Sequence, residues 1–348
     1  MRYPDDMWAH WRKLRVGFGV VIGATLVRGA AGCTGFDAAA VAEDDAGASI
    51  PDAPLEADAQ QPSDGASMKE AEASADAGPL TCKGKIFGTP VRVGTAQISG
   101  ALATTMWGLR VVGPNAYFAA TPAGSSEQQL FRATFTPGVG GGAPALSNAS
   151  VLTPPSSTTT VEWAPSVSTD SALLVFATAF PPPRDLAVSI GAGGAFAAAT
   201  GIASVNTSAD ETDPWLVGKP AAKAMYFGRE NTAGAMEIWR STISGTAFSA
   251  PAKVTLVCAQ LSCGTPVVTP EESTMLYASW ASGGFVPNVA ESALLPAGGG
   301  WTAGPGIGHP ELGTHYPSWV SDDGCEVLLG GGNISSINDI YYARRTPQ

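Results

Sequence analysis

From about residue 84 onward, short apolar runs alternate with turn residues at a regular spacing. Five apolar triplets stand out: Ala116-Tyr-Phe118, Leu174-Val-Phe176, Met225-Tyr-Phe227, Met275-Leu-Tyr277 and Val327-Leu-Leu329. Their last residues lie 58, 51, 50 and 52 positions apart. A second run follows each triplet: Gln129-Leu-Phe-Arg132, Asp185-Leu-Ala-Val188, Glu237-Ile-Trp-Arg240, Asn288-Val-Ala-Glu291 and Asp339-Ile-Tyr-Tyr342. A Pro-containing run precedes four of them: Ala164-Pro-Ser166, Asp213-Pro-Trp215, Thr265-Pro-Val267 and Tyr316-Pro-Ser318. Runs of this length, bounded by Gly and Pro, predict strands joined by turns. Self-similarity at a period of about 50 residues is the mark of a repeat array such as a propeller.

A fourth strand is expected at the end of each unit. Ala247-Phe-Ser-Ala-Pro-Ala-Lys-Val254 is its clearest copy, and Gly194-Ala-Phe-Ala-Ala-Ala198 and Gly300-Trp-Thr-Ala303 are looser ones. The last unit, from His315 through the Asp323-Gly324 turn, stops at Arg345 before its own fourth strand. Ile86-Phe-Gly-Thr-Pro-Val-Arg-Val93 has the spacing of the 247–254 segment. The expected fold is therefore an all-β propeller whose N-terminal strand completes the last blade. Such closure removes two exposed sheet edges. Five blades are expected. Six is the alternative, and the extra one would have to lie in the Gly/Ser/Thr-rich stretch 133–160.

Over residues 84–348 the pattern resembles the TolB-type propeller repeat of bacterial envelope proteins. The resemblance rests on Pro317-Ser-Trp-Val-Ser-Asp-Asp-Gly324, on Asp339-Ile-Tyr-Tyr-Ala-Arg344 and on the weaker copies upstream. It implies a binding or scaffold module. It also implies that the segment just before each Pro strand reaches the rim of the central channel, where ligand sites gather. That places Glu162, Trp163, Glu211, Asp213, Trp215, His315 and Tyr316 at the rim. Aromatic and acidic groups at a concave mouth suit a sugar or a peptide. The competing expectation for Trp163, Trp215 and Trp319 is packing between blades.

The N-terminus changes the picture from a bare domain to an anchored one. Arg12, Lys13 and Arg15 precede an apolar run from Val16 to Val27, too short to span a bilayer and suited to a signal peptide. Ala30-Ala-Gly-Cys33 then looks like a lipobox, with Cys33 as the lipidated residue; ordinary secretion with cleavage near Ala31 is the alternative. Thr34, not an acidic residue, follows Cys33, which by the habit of bacterial lipoproteins implies the outer membrane, with the periplasmic face as the alternative. Residues 34–80 are Ala, Asp, Glu, Pro, Gly and Ser with few large apolar side chains. Such a segment buries too little to offset the entropy of ordering and is expected to be a disordered tether. At about 46 residues it would reach about 40 Å. The domain organisation read from the chain is thus 1–33 leader, 34–80 tether and 81–348 propeller.

The formal charge of −11 belongs mostly to that tether. Residues 37–78 carry 11 acidic residues and one Lys, whereas residues 79–348 carry 13 Lys/Arg and 17 Asp/Glu. A nearly neutral domain lacks the basic footprint that nucleic acid requires. Apart from Cys33 there are four cysteines, with three possible pairings. Cys258 and Cys263 are close enough to bridge a local turn. Cys82 precedes the closing strand and Cys325 sits in the blade that strand would join. Disulfides 258–263 and 82–325 are expected, in an oxidising compartment. The second would lock the ring seam, worth about 5 kcal/mol in the loop-entropy picture.

No nucleophile elbow, phosphate loop or dinucleotide fingerprint is present. His309 and His315 match no metal-ligand spacing, and Pro310 between them rules out a helical pair. No cofactor or metal is expected. Carboxylates are the only catalytic candidates. A glycosidase would use rim acids such as Glu162, Glu211 and Asp213 from separate blades. Asp170, Asp322 and Asp323 fall in turns, where an Asp bonds its own backbone. The leading expectation is a binding module for an envelope protein, peptide or glycan, with a carbohydrate-active enzyme second.

Overall fold

The computed structural model describes residues 82, 87–93, 102–122, 125, 127–138, 142–156, 160–178, 183–192, 194–256, 258, 261–281, 288–293, 300–302, 315–331 and 339–345. The leader, Cys33, the tether, Ile86 and His309 lie outside them. Among the described residues every regular element is a strand.

A short strand, β1 (Val91–Arg92), comes first. Strands β2 (Leu102–Val112), β3 (Asn115–Pro122), β4 (Gln129–Thr136) and β5 (Ala145–Val151) form the first sheet in chain order. The second holds β6 (Glu162–Val167), β7 (Leu173–Thr178) and β8 (Asp185–Ala192), with β9 (Ala195–Phe196) and β10 (Thr200–Gly201) both on β8. The third holds β11 (Glu211–Val217), β12 (Ala224–Glu230) and β13 (Met236–Ser244), with β14 (Ala247–Phe248) and β15 (Ala252–Lys253) both on β13. The fourth is β16 (Ser262–Val268), β17 (Thr274–Trp280) and β18 (Asn288–Ala293). The fifth is β19 (His315–Val320), β20 (Glu326–Gly331) and β21 (Asp339–Arg344), completed by β1.

The first strands of these five sheets touch one another in a closed cycle, β2 on β6, β6 on β11, β11 on β16, β16 on β19 and β19 on β2. The architecture is a β-propeller, with its core in layers between sheets. Tyr117, Phe176 and Phe196 pack between the first and second sheets. Val175, Leu216 and Phe227 fill the next interface, and Phe118, Phe131, Leu328 and Ile340 join the first sheet to the fifth. Each such side chain contributes about 1.5–3 kcal/mol by leaving water.

The ring seam is where the sequence places it. Val91 opposes Tyr342 and Arg92 opposes Tyr341. The Gly88 N–H donates to Arg344 O at 2.9 Å, and the Val93 N–H to Ile340 O at 2.8 Å. Cys82 and Cys325 form a disulfide with Cα atoms 5.0 Å apart, and Cys258 and Cys263 form the other. Arg345 is buried at the seam, its Nε donating to Gly324 O at 2.7 Å and its guanidinium 4.4 Å over the Phe87 ring.

The outer strands account for the stretch 133–160 and correct one expectation. The stretch 133–160, where a sixth blade would have to lie, supplies the end of β4, β5 and the link to β6. Only Leu146 of β5 is buried, so this edge strand tolerates its polar composition. Of the expected fourth strand at 300–303, the described residues 300–302 do not pair with β18. Trp301 instead makes a single parallel bridge to Leu256, and its indole is buried edge-on against Tyr226 at 6.2 Å. A side chain that large gains more between sheets than at an edge.

The prolines are reconciled with an inner strand by a bulge. Pro cannot donate to a ladder and is confined to edges or bulges. Residues 164 and 165 oppose Phe176 alone, 213 and 214 oppose Phe227, and 265 and 266 oppose Tyr277. The residue before each of these prolines has a positive φ: Ala164 at 47°, Asp213 at 51° and Thr265 at 48°. In β2 the equivalent residue is Gly108 at 59°, where a Cβ would lie 2.6 Å from the Cα of Ala164. Here the close approach of two blades requires glycine, whereas the same backbone carries a side chain at Ala164, Asp213 and Thr265.

Candidate functional site

The bulges divide the channel into two levels. Two residues beyond each bulge position, Arg110, Ser166, Trp215 and Val267 occupy one level, and Trp319 has the same register in β19. Side chains here reach across to other blades. Trp319 Nε1 donates to Val111 O at 3.1 Å, and Trp215 Nε1 to Val268 O at 2.8 Å. Arg110 Nη1 donates to Ser166 Oγ at 2.9 Å and Nη2 to Leu216 O at 2.8 Å. Its guanidinium lies 3.9 Å from the centre of the Trp215 ring. Arg110 and Trp215 are each 6% exposed. Burial pulls the Arg110 guanidinium down to about 9, opposed by the charge of Asp322. Beyond this level the turns are tied together, Lys219 to Asp322 by an ion pair and Thr169 Oγ1 to Pro220 O at 2.5 Å. This end of the channel is stoppered.

The other level, where the inner strands begin, is built differently. Asp213 sits on its strained bulge, half-buried. Although the residue is partly exposed, burial of the carboxyl raises it to about 6. A hydrogen bond from Thr212 and the charge of Arg184 work the other way. Tyr316, from the fifth blade, lies close enough to feel that charge. Burial first, and Asp213 second, push its hydroxyl above the ordinary tyrosine range. The Tyr316 ring lies flat on Gly330, where a Cβ would come within 2.2 Å of it, so the opposing residue must be glycine. Thr265, the bulge residue of the fourth blade, has a buried Oγ1 without a hydrogen-bond partner, as has Nε1 of Trp163. Arg184 covers the Trp163 ring at 4.7 Å and lies 3.6 Å from Asp210.

The structure thus brings Asp213, Tyr316 and Trp163 to one level and sets the other rim candidates apart. Glu211 is fully buried: Thr207 Oγ1 donates to it at 2.6 Å and Arg229 Nε at 2.8 Å. Burial raises its carboxyl all the same, against the pull of Thr207 and Arg229. Glu162, its counterpart in the second blade, is 2% exposed and accepts hydrogen bonds from Ser156 and Thr160. Both glutamates hold the loops that precede them. Trp215 belongs to the stopper. His315 opens β19, and its side chain lies outside the described residues. Among the described residues, no group of three His, Cys, Asp or Glu side chains is placed to hold a metal ion.

Sequence reasoning missed Arg184, Thr265 and Arg110. Thr265 has a sequence signal, since it precedes Pro266 as Asp213 precedes Pro214. Arg184 and Arg110 have none, because their roles depend on neighbours from other blades.

No protein-family profile matches the chain, and no curated protein matches it in sequence. Solved structures do resemble it. The RS223 β-xylosidase is 12% identical with a TM-score of 0.50, the match covering 74% of this chain and 94% of that one. A thermostable family-43 glycoside hydrolase is 11% identical with a TM-score of 0.49, covering 72% of this chain and 91% of that one. TolB from Acinetobacter baumannii is 12% identical with a TM-score of 0.45, covering 70% of this chain and 56% of that one. The chain therefore spans little more than half the length of that TolB. At such identities the likeness to the β-xylosidase speaks for the fold alone, and that fold is the β-propeller.

Proposed function

We propose that the protein is a binding module of the bacterial envelope, anchored through lipid on Cys33, that takes a glycan or peptide into the unstoppered mouth of its propeller. The carrying observation is Asp213. It combines a positive-φ backbone, a half-buried residue whose charge reaches Tyr316, and the bulge position that Thr265, with its unpartnered hydroxyl, holds in the next blade. The positive φ recurs at the bulge of four blades, so what distinguishes this position is its carboxyl. A carboxyl near pH 6 can donate or accept a hydrogen bond at neutral pH, as a polyhydroxylated or amide ligand requires. The two disulfides support an oxidising compartment.

Glycoside hydrolysis is the second reading, because a raised carboxyl suits a general acid. It also needs a second carboxylate within about 5–10 Å, and Glu162 and Glu211 are both engaged with their own loops. Screening the full chain against glycan and peptide arrays, with aryl-glycoside hydrolysis in parallel, separates the two. Binding that Asp213→Asn weakens at least about tenfold, without turnover, is expected; the loss of one charge-assisted hydrogen bond is of that size. Turnover by the wild type that the same substitution abolishes overturns the ranking. For the anchor, Cys33→Ser is expected to move the protein from the membrane to the soluble fraction; continued membrane fractionation disproves lipidation there.

A further inference from the structure

The second and third blades carry acids at the same two positions, but the second lacks the two cations of the third. In the third, Glu211, Arg229 and Glu237 are directly opposed across β11, β12 and β13. In the second, Glu162, Thr178 and Asp185 are opposed across β6, β7 and β8. Opposed residues share a face of the sheet. In the third blade both acids are matched by cations. Arg229 donates from Nε to Glu211 at 2.8 Å and from Nη2 to Val205 O at 2.5 Å, and Lys253 Nζ lies 2.9 Å from Glu237. The Arg229 guanidinium also lies over the Phe227 ring at 5.3 Å.

In the second blade each member of this set has a counterpart. Lys253 opposes Trp239, and Gly201 opposes Ala187, each two residues beyond its acid. Val205 follows Ile202 as Pro155 follows Leu152, both in matching turns. Phe227 and Phe176 both stand opposite a bulge. The acids and Phe176 are retained, while Arg has become Thr178, Lys has become Gly201, and Trp239, whose ring lies 4.5 Å from the Arg229 guanidinium, has become Ala187. Between them lies a cavity of about 380 Å³, lined by Pro155, Glu162, Phe176, Thr178, Asp185 and Gly201. Oδ1 of Asp185 is buried without a hydrogen-bond partner. The adjacent Arg184 is turned away, toward Asp210 and the Trp163 ring. Burial, then the charge of Asp210, raises the Asp185 carboxyl, as expected of an acid with no cation beside it.

We infer that this cavity receives a guanidinium group from a ligand, the arginine side chain of a peptide, in the place that Arg229 occupies one blade further on. A guanidinium matches carboxylates through its planar fork and stacks on an aromatic ring, as Arg229 does. Neither Asp213 nor Tyr316 lines the cavity, so the inference stands apart from the channel-mouth reading.

The test is titration calorimetry on the full chain with acetyl-arginine amide, and with acetyl-citrulline amide as the neutral isostere. Arginine amide is expected to bind at least about tenfold more tightly than citrulline amide, the scale of a lost charge-assisted hydrogen bond. Asp185→Asn is expected to erase that preference. Thr178→Arg rebuilds the row of the third blade inside the protein. It is expected to abolish binding and to raise the melting temperature. Absence of binding by the wild type, equal binding of the two amides, or undiminished binding by a folded Thr178→Arg variant overturns the inference.

Discussion

The two levels of the channel use similar residues to opposite ends. At the stoppered level most of the polar groups find partners in other blades, Nε of Arg110 excepted. Trp319 reaches Val111, Trp215 reaches Val268 and Arg110 reaches both Ser166 and Leu216. At the mouth, a few residues away along the same strands, the groups are held in place and left wanting. Asp213 and Thr265 have strained backbones, and the Thr265 hydroxyl has no partner. A ligand therefore belongs at the mouth. Satisfied buried polar groups make a core specific and rigid, whereas unsatisfied ones cost free energy that a ligand can return.

Removing the stopper has the largest expected effect. Trp215→Ala deletes a buried indole, its bond to Val268 and the ring under the Arg110 guanidinium. The expected loss is about 3–5 kcal/mol, read as a lower denaturant midpoint at unchanged slope. A loss below about 1 kcal/mol, within the range of ordinary surface changes, would mean that this level is loosely packed and that the contrast with the mouth fails.

How much of this was legible in the chain follows from what period and composition encode. The apolar triplets report sheet interfaces, so Phe176, Phe227 and Leu329 could be placed from spacing alone. The half-finished last blade and Cys82 announced the seam. The bulges were visible only as an oddity, proline in an inner strand, because a two-for-one pairing leaves no trace in hydrophobic alternation. That slip decides which side chains point inward beyond it. It is why Trp215 could be read as a rim residue when it is part of the stopper, and why Thr265 went unread. Glu162 and Glu211 look like rim acids in sequence, since nothing in a chain of letters says that an acid will take its hydrogen bonds from the loop just before it. β5 was hidden because an edge strand needs only Leu146 to hold its inner face.

A smaller effect sharpens the contrast from the other side, through the proton on Asp213. Its folded-state carboxyl sits at about 6 against 3.8 for an unperturbed Asp. Between about pH 4 and pH 6 the folded protein keeps a proton that the unfolded chain releases. Stability from this group is therefore fully present at the acid end and falls as pH rises through that window. Other carboxyls slope the opposite way. Glu272 is held low because the Arg240 and Tyr226 hydrogen bonds outweigh its burial, and its contribution fades as pH falls. The clean quantity is thus the difference between Asp213→Asn and wild type, in which Glu272 cancels. The melting-temperature advantage of the variant is expected to be near zero at pH 4, to grow through pH 5 and to level off by pH 7. A difference independent of pH would show that Asp213 titrates normally and that the mouth is as well satisfied as the stopper.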